Sequence, residues 1–250
     1  DALTLPPAQG EEGCAASHLH FLRTGGKNLT QMAAAAFRAA AGAGGEVDVS
    51  IQKHIPVCAG LAGGSADAAA VLAAMNQLAG AGLSRLELAK IGERVGSDVP
   101  FCVLGGTALA EGRGEVLRPL PPLPPCHIVI CKPSFPVSTP QLFSRVNVRK
   151  IVRRPDTQGV MAALGAGDLA GVARRMYNVF EDVLERRRAA EITQIKAALI
   201  DCGALGASMS GSGPSVFGLF DDPDSAQSAC LRLGESYRDV FLCAPAGGDV

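Results

Sequence analysis

The chain has 250 residues, with 23 Lys and Arg against 24 Asp and Glu and a formal net charge of -1. That balance leaves no global basic field of the kind nucleic-acid binding requires, and 48% hydrophobic residues are too many for a disordered chain. No apolar run reaches the roughly 18 residues of a membrane helix and no charged-then-apolar leader opens the sequence, so a cytoplasmic globular protein without nucleic-acid or membrane partners is expected.

The opening segment, Asp1 to Gly13, is polar and interrupted by Pro and Gly, and does not read as the start of a folded domain. Asn28 is a good N-cap for an Ala-rich helix over Leu29 to Ala41, which Gly42 to Gly45 stop. Val47, Val49 and Ile51 alternate with Asp48, Ser50 and Gln52, the period-two signature of a half-buried strand that ends at Pro56. A second Ala-rich helix is expected from Ser65 to Leu78, and Ser84 with Glu87 forms a capping box for a third that ends near Gly96. Ser97-Asp98-Val99-Pro100 predicts a turn, because Pro100 drives Val99 out of the helical region. From Val103 to Leu120, Gly105-Gly106 and Gly112-Arg113-Gly114 punctuate short strands in hairpin fashion.

The five prolines between Pro119 and Pro125 mark a domain boundary, giving domains over 1–125 and 126–250. Beyond it the pattern predicts a strand at His127 to Cys131, two helices between Thr157 and Val183, and a helix from Ala190 to Cys202. A strand at Val216 to Phe220, a helix from Pro223 to Leu233 and a strand at Val240 to Cys243 follow. Strands and helices interleave throughout, so the class is α/β or α+β. Arg186, Arg187 and Arg188, after Arg174 and Arg175, read as a solvated helix face, the other reading being a site for an anionic substrate or an RNA. Cys14, Cys58, Cys102, Cys126, Cys131, Cys202, Cys230 and Cys243 have neither CxxC nor zinc-site spacing, and read as reduced, mostly buried thiols.

Three segments carry candidate chemistry. In Pro56 to Ala68, PVCAGLAGGSADA, a strand feeds a Gly-rich turn that opens a helix at a Ser. Glycines let the backbone fold without side chains in the way, and successive N–H groups with the helix's positive end make an anion cradle. Ser65 could bond a phosphate oxygen or a magnesium ion; the plainer reading is a tight turn. The segment is neither a Walker A loop nor a dinucleotide fingerprint. Asp98, on a turn past a helix end, could take a proton from an attacking hydroxyl or could simply cap the turn. MSGSGPS, Met209 to Ser215, is either a second ligand-facing loop or an ordinary turn before a strand.

In this order PVCAGLAGGSADAAAVLAAMN, GSDVPF and GASMSGSGPSVF resemble the second motif, the catalytic-Asp segment and the third motif of the GHMP small-molecule kinases. GGTALAEGRGEVLRPLPPLP, KPSFPVSTPQLF, and Asn178 and Glu181 of YNVFEDV are similar to the branch of that family acting on a cytidine-diphosphate-linked methylerythritol. The resemblance runs from about Asn28 onward. It implies an α+β GHMP kinase fold of two α/β domains, a ribosomal S5 domain 2-like ATP-binding domain and a ferredoxin-like C-terminal domain, with the active site between them. It implies ATP and Mg2+, transfer of phosphate to the substrate's 2-hydroxyl in non-mevalonate isoprenoid precursor biosynthesis, and a monomer or homodimer.

The resemblance further assigns residues. Pro56, Val57, Cys58, Ala59, Gly60, Leu61, Ala62, Gly63, Gly64, Ser65 and Ala66 would hold the triphosphate, with Ser65 at the metal, and Asp98 would deprotonate the hydroxyl. Asn28 and Lys53 would lie near adenine and ribose, their plainer roles being helix cap and exposed strand-end charge. Ser138 and Thr139 would face the cleft, and Ser210, Gly211, Ser212 and Gly213 would close the phosphate side. Two departures stand out. The family's Gly-Leu-Gly-Gly-Gly-Ser-Ser is here Gly60-Leu61-Ala62-Gly63-Gly64-Ser65-Ala66, which requires a negative φ at Ala62 and removes a hydroxyl at Ala66. The family's opening Lys-Ile/Val-Asn-Leu and Asp-Gly-Tyr-His segments have no counterpart, since His18 and His20 follow no Asp-Gly-Tyr, so the chain is expected to lack the family's first few dozen residues. Two alternatives stay open: another GHMP kinase of homoserine or mevalonate type, and an inactive nucleotide-binding fragment.

Overall fold

The computed structural model describes residues 1–8, 14–17 and 28–246, so His18 and His20 lie outside the described residues. The chain divides into two compact units. Among the described residues, one comprises Asp1–Ile55 and Ala62–Pro119; the other comprises Pro56–Leu61 and residues 120–246.

In the first unit β1 (Ala2–Thr4) and β2 (Ala15–Ser17) flank β3 (Val49–Gln52), β1 antiparallel and β2 parallel to it. This corrects the reading of the opening segment. Leu3 and Leu5 pack on the core and Pro7 bridges to Val47, and a three-residue strand is too short to display a period. Four helices cover the sheet: α1 (Leu29–Ala41), α2 (Gly63–Leu78), α3 (Arg85–Gly92) and α4 (Val99–Leu104). α1 is capped as its sequence predicts: Asn28 Oδ1 accepts the Thr30 N–H at 3.0 Å, and Gly42 turns left-handed at φ 59°. Phe37, Val49, Leu72 and Met75 lie at the centre of the core. The Ser84–Glu87 capping box forms, but α3 ends at Gly92. Arg94 and Val95 donate to carbonyls three residues back, tightening the last turn.

α4 is the larger surprise, because Val99 and Pro100 were expected in a turn. Pro100 sits in the first helical turn, where no intrahelical donor is missed. Val99 is wholly buried beside Gly92, where a methyl on the glycine would lie 2.8 Å from Val99 Cγ1. Burial decides the conformation over the local pre-proline preference. β4 (Ala108–Glu111) and β5 (Val116–Pro119) form the expected hairpin.

The second unit contains β6 (His127–Lys132), α5 (Thr139–Arg145), α6 (Thr157–Gly165), α7 (Leu169–Arg175), α8 (Arg186–Asp201), β7 (Gly206–Met209), β8 (Val216–Phe220), α9 (Pro223–Gly234) and β9 (Asp239–Cys243). Its sheet runs β7-β8-β6-β9, every pair antiparallel. Counting β6 to β9 as 1 to 4, the order from the β9 edge is 4-1-3-2, the split βαβ arrangement of a ferredoxin-like unit. Alternation divides the strands between two cores. Val129, Cys131, Val216 and Phe220 meet α8 and α9, while Leu219, Phe217 and Ile128 meet α6 and α7. With both units combining helices and separate sheets, the class is α+β.

α5 was not foreseen from sequence; it buries only Leu142 and shows no period. α8 begins at Arg186, so the arginine cluster is its exposed first turn, with Arg188 5.5 Å from the Phe135 ring centroid. The cysteines are all free thiols, but only Cys126 and Cys131 are buried while Cys14 and Cys58 are exposed. The expectation of general burial fails because the exposed pair sits in connecting segments.

Ser215, immediately before β8, is fully buried with an Oγ that has no hydrogen-bond partner. An unpaired buried hydroxyl costs more than the methyl that would replace it. Ser215→Ala is therefore expected to stabilise the protein by about 1 kcal/mol, read from the midpoint of urea unfolding; a loss of similar size would contradict this.

Candidate active site

The chain leaves β3 through Lys53 and enters the glycine loop. Alternate residues there adopt positive φ: Cys58 at 54°, Gly60 at 73° and Ala62 at 50°. Such alternation turns successive amides toward one side. The expected negative φ at Ala62 is overturned: ψ is 23°, in the left-handed region. An L-residue there costs about 1–2 kcal/mol, and Cys58 carries the same type of strain; both persist because the loop must close between β3 and α2.

Ala62 is the N-cap of α2 and makes no side-chain cap bond. The first amides of this helix, at Gly63, Gly64 and Ser65, thus receive no cap bond from the N-cap side chain, and the positive end of the helix dipole lies there. Gly63 must be glycine, since a methyl there would lie 2.9 Å from Ile55 Cγ2 and 3.4 Å from Lys53 Nζ.

Lys53 carries a cluster that sequence reading missed. Its ammonium bonds the Asp1 carboxylate, and it reaches Asp67 Oδ2 at 2.7 Å. Asp1 Oδ1 also accepts the N–H groups of His54 at 2.5 Å and Ile55 at 2.7 Å. All three charged side chains are nearly excluded from solvent, with exposures of 6% for Lys53, 2% for Asp1 and 5% for Asp67. The one signal available in sequence was Asp67 itself, a charge in an otherwise small and apolar helix.

Asp98 caps α4 by position, yet its side chain makes no cap bond and is exposed. The plain capping role is therefore not what this carboxylate does. Burial first, and then the charge of Asp98, push the Cys102 thiol up to about 11. Gly96, two residues before Asp98, and Gly64 at the start of α2 share a neighbour in Leu29. Methyls built at Gly64 and Gly96 would lie 3.4 Å and 4.0 Å from the two Cδ atoms of Leu29. The β4–β5 hairpin closes on the same turn, with Gly114 3.3 Å from Ser97 O by the same measure. This packing explains why Gly114, at φ 113°, is glycine.

Within the second unit, Pro56–Leu61 is stitched to the Met209–Ser215 turn. Ser215 N–H donates to Ala59 O at 3.1 Å and Ser210 Oγ donates to Gly60 O at 2.8 Å. Gly213 N–H closes the turn on Ser210 O at 2.8 Å. Gly211 and Gly213 have φ of 51° and 74°. Ser138 is the N-cap of α5, and the Thr139 hydroxyl meets the Ser212 hydroxyl at 2.8 Å. The structure thus sets Thr139 and Gly60 against the same turn, Thr139 through Ser212 and Gly60 through Ser210. A methyl on Gly60 would sit 2.3 Å from Ser210 O and 2.8 Å from Gly213 N. Gly60→Ala is expected to cost about 2–3 kcal/mol of stability from overpacking and strain, measurable by thermal unfolding. Unchanged stability would mean the loop can re-close elsewhere.

No group of three or more His, Cys, Asp or Glu suited to a metal occurs among the described residues. No helix of the described residues is long and apolar enough to cross a membrane.

Two family models match the chain: GHMP kinases N terminal domain over residues 28–106 and GHMP kinases C terminal over 160–239. The 4-diphosphocytidyl-2-C-methyl-D-erythritol kinase of Clostridium novyi (strain NT) is 44% identical over 216 residues, covering 86% of this chain and 77% of that protein. The enzyme of the same name from Alkaliphilus oremlandii (strain OhILAs) is 45% identical, covering 81% and 69%. A crystal structure of 4-(cytidine 5'-diphospho)-2C-methyl-D-erythritol kinase superposes with a TM-score of 0.78 at 31% identity, over 98% of this chain and 85% of that one. The homoserine kinase of Cytophaga hutchinsonii gives a TM-score of 0.79 at 22% identity over 98% and 84%, a likeness of fold alone.

Proposed function

This chain belongs to the GHMP kinases, and from that membership we propose that it transfers the γ-phosphoryl group of ATP to the 2-hydroxyl of 4-diphosphocytidyl-2-C-methyl-D-erythritol, a step of non-mevalonate isoprenoid precursor biosynthesis. The observation that carries the reading is the shared packing of Gly64 and Gly96 on Leu29, which draws together the uncapped start of α2 and the turn bearing the uncommitted Asp98 carboxylate.

In this reading the loop from Pro56 to Ala66 holds the triphosphate through backbone amides, and Asn28, the N-cap of α1, lies toward adenine and ribose; Lys53, buried between Asp1 and Asp67, holds the entry to the loop rather than facing the ribose as expected from sequence. Asp98 orients the acceptor hydroxyl and takes its proton. Ser138, Thr139 and the Ser210–Gly213 turn close the phosphate side and shape the acceptor pocket. A magnesium ion fits the donor set only as a partner of the nucleotide: the Ser65 hydroxyl would supply one oxygen and the phosphates most of the rest. Bound there, it would neutralise phosphate charge. The residues themselves contribute positioning and charge complementarity, on which phosphoryl transfer chiefly depends. The need for ATP and the free thiols support a cytoplasmic site for the reaction.

The test is a panel of acceptors offered with ATP: the cytidyl alcohol, homoserine, mevalonate and phosphomevalonate. Transfer to the cytidyl alcohol alone is expected. Transfer to one of the others, with none to the cytidyl alcohol, would overturn the assignment.

A further inference from the structure

Asn178 and Glu181 lie between α7 and α8, at the start of and within a 3-10 turn over Val179–Val183. Asn178 uses its whole side chain. Oδ1 accepts the Phe180 N–H at 2.9 Å, and Nδ2 donates to both Met209 O and Gly211 O at 2.8 Å. Glu181 Oε1 accepts the Met209 N–H at 2.8 Å, while Lys196 Nζ holds the other oxygen at 2.5 Å. Phe180 is anchored edge-on against Phe143 at 4.8 Å. Met209 is thus gripped at its N–H and its carbonyl, and Gly211 at its carbonyl. Ser210, held between them, is the residue whose hydroxyl donates to Gly60 O.

We propose that Asn178 and Glu181 are positioning residues for ATP: they fix Met209–Gly211 so that Ser210 clamps Gly60, and the phosphate loop is set before the nucleotide arrives. The inference rests on the reading of that loop as the triphosphate site. Its physical basis is preorganisation. A glycine-rich segment must lose backbone freedom to present its amides together, and bonds that hold it beforehand remove that cost from binding. A clip that served only to join this turn to β7 would affect stability and leave the kinetics alone.

Asn178→Asp separates the two roles, because its Oδ1 still accepts the Phe180 N–H while the donor facing two carbonyls becomes an acceptor. In steady-state assays of the full chain, the KM for ATP is expected to rise about tenfold, the worth of one or two net hydrogen bonds. The KM for the cytidyl alcohol should stay within about twofold. Asn178→Ser, uncharged and lacking the Nδ2 amide that reaches Met209 O and Gly211 O, gives the same split should the aspartate variant fail to fold. Ser210→Ala should reproduce the rise, and the double variant should be no worse than the larger single, since both break one linkage. An unchanged KM for ATP in both Asn178 variants, or fully independent effects of Asn178 and Ser210, would overturn the inference while leaving the kinase reading intact. An unsubstituted protein without transfer from ATP would instead sink the kinase reading.

Discussion

Replacing Asp98 by Asn should lower kcat by about 10²-fold or more and leave both the KM for ATP and the melting temperature near those of the unsubstituted protein. The two halves of that expectation come from different observations. The kinetic half follows from chemistry: a carboxylate can receive the proton of the acceptor hydroxyl as phosphate bonds to its oxygen, whereas a carboxamide of the same shape can only orient it. The stability half follows from structure. Asp98 stands at an N-cap without making the cap bond and is exposed, so Asn removes nothing that the fold uses. α4 is held instead by the burial of Val99 and Pro100. Loss of an interaction made only on the way to the transition state lowers kcat and kcat/KM together. Near-normal turnover would remove Asp98 from the mechanism. A fall in melting temperature matching the fall in rate would make it a structural residue.

The contrast between Asp98 and its surroundings shows what local pattern can convey. The ends of α1 were readable because a cap acceptor at Asn28 and a left-handed stop at Gly42 are properties of single residues. The glycine-rich turn after β3 was readable for the same reason, since its glycines announce a turn. Ala62 was not: its positive φ is imposed by closure between β3 and α2, against the residue's own preference. α4 was hidden because burial of Val99 outweighs the proline that follows it. β1 and β2 are three residues each, shorter than any period. The bonds of Asn178 to Met209 and Gly211 span 31 and 33 positions, so the motif could be matched to a family branch while its task stayed invisible.

The buried charges around Lys53 were invisible in the same way, and they give the largest expected effect on stability. Lys53→Met is expected to destabilise the protein by about 3–5 kcal/mol, a fall of roughly 10 °C in melting temperature for a chain of this size. Methionine fills the volume of the stem but supplies no charge. The Asp1 and Asp67 carboxylates are 2% and 5% exposed, and without the ammonium they would face each other in a region that water hardly reaches. Asp1 retains the His54 and Ile55 N–H groups; Asp67 has no comparable backbone support among the bonds that define this cluster. Adding Asp67→Asn to Lys53→Met should therefore restore more than half of the loss, because a neutral amide is cheaper to bury than an unpaired carboxylate. A cost under about 1 kcal/mol for Lys53→Met, the range of a solvent-exposed pair, would show that the cluster is hydrated and that the entry to the glycine loop is held by packing of Ile55 against Gly63.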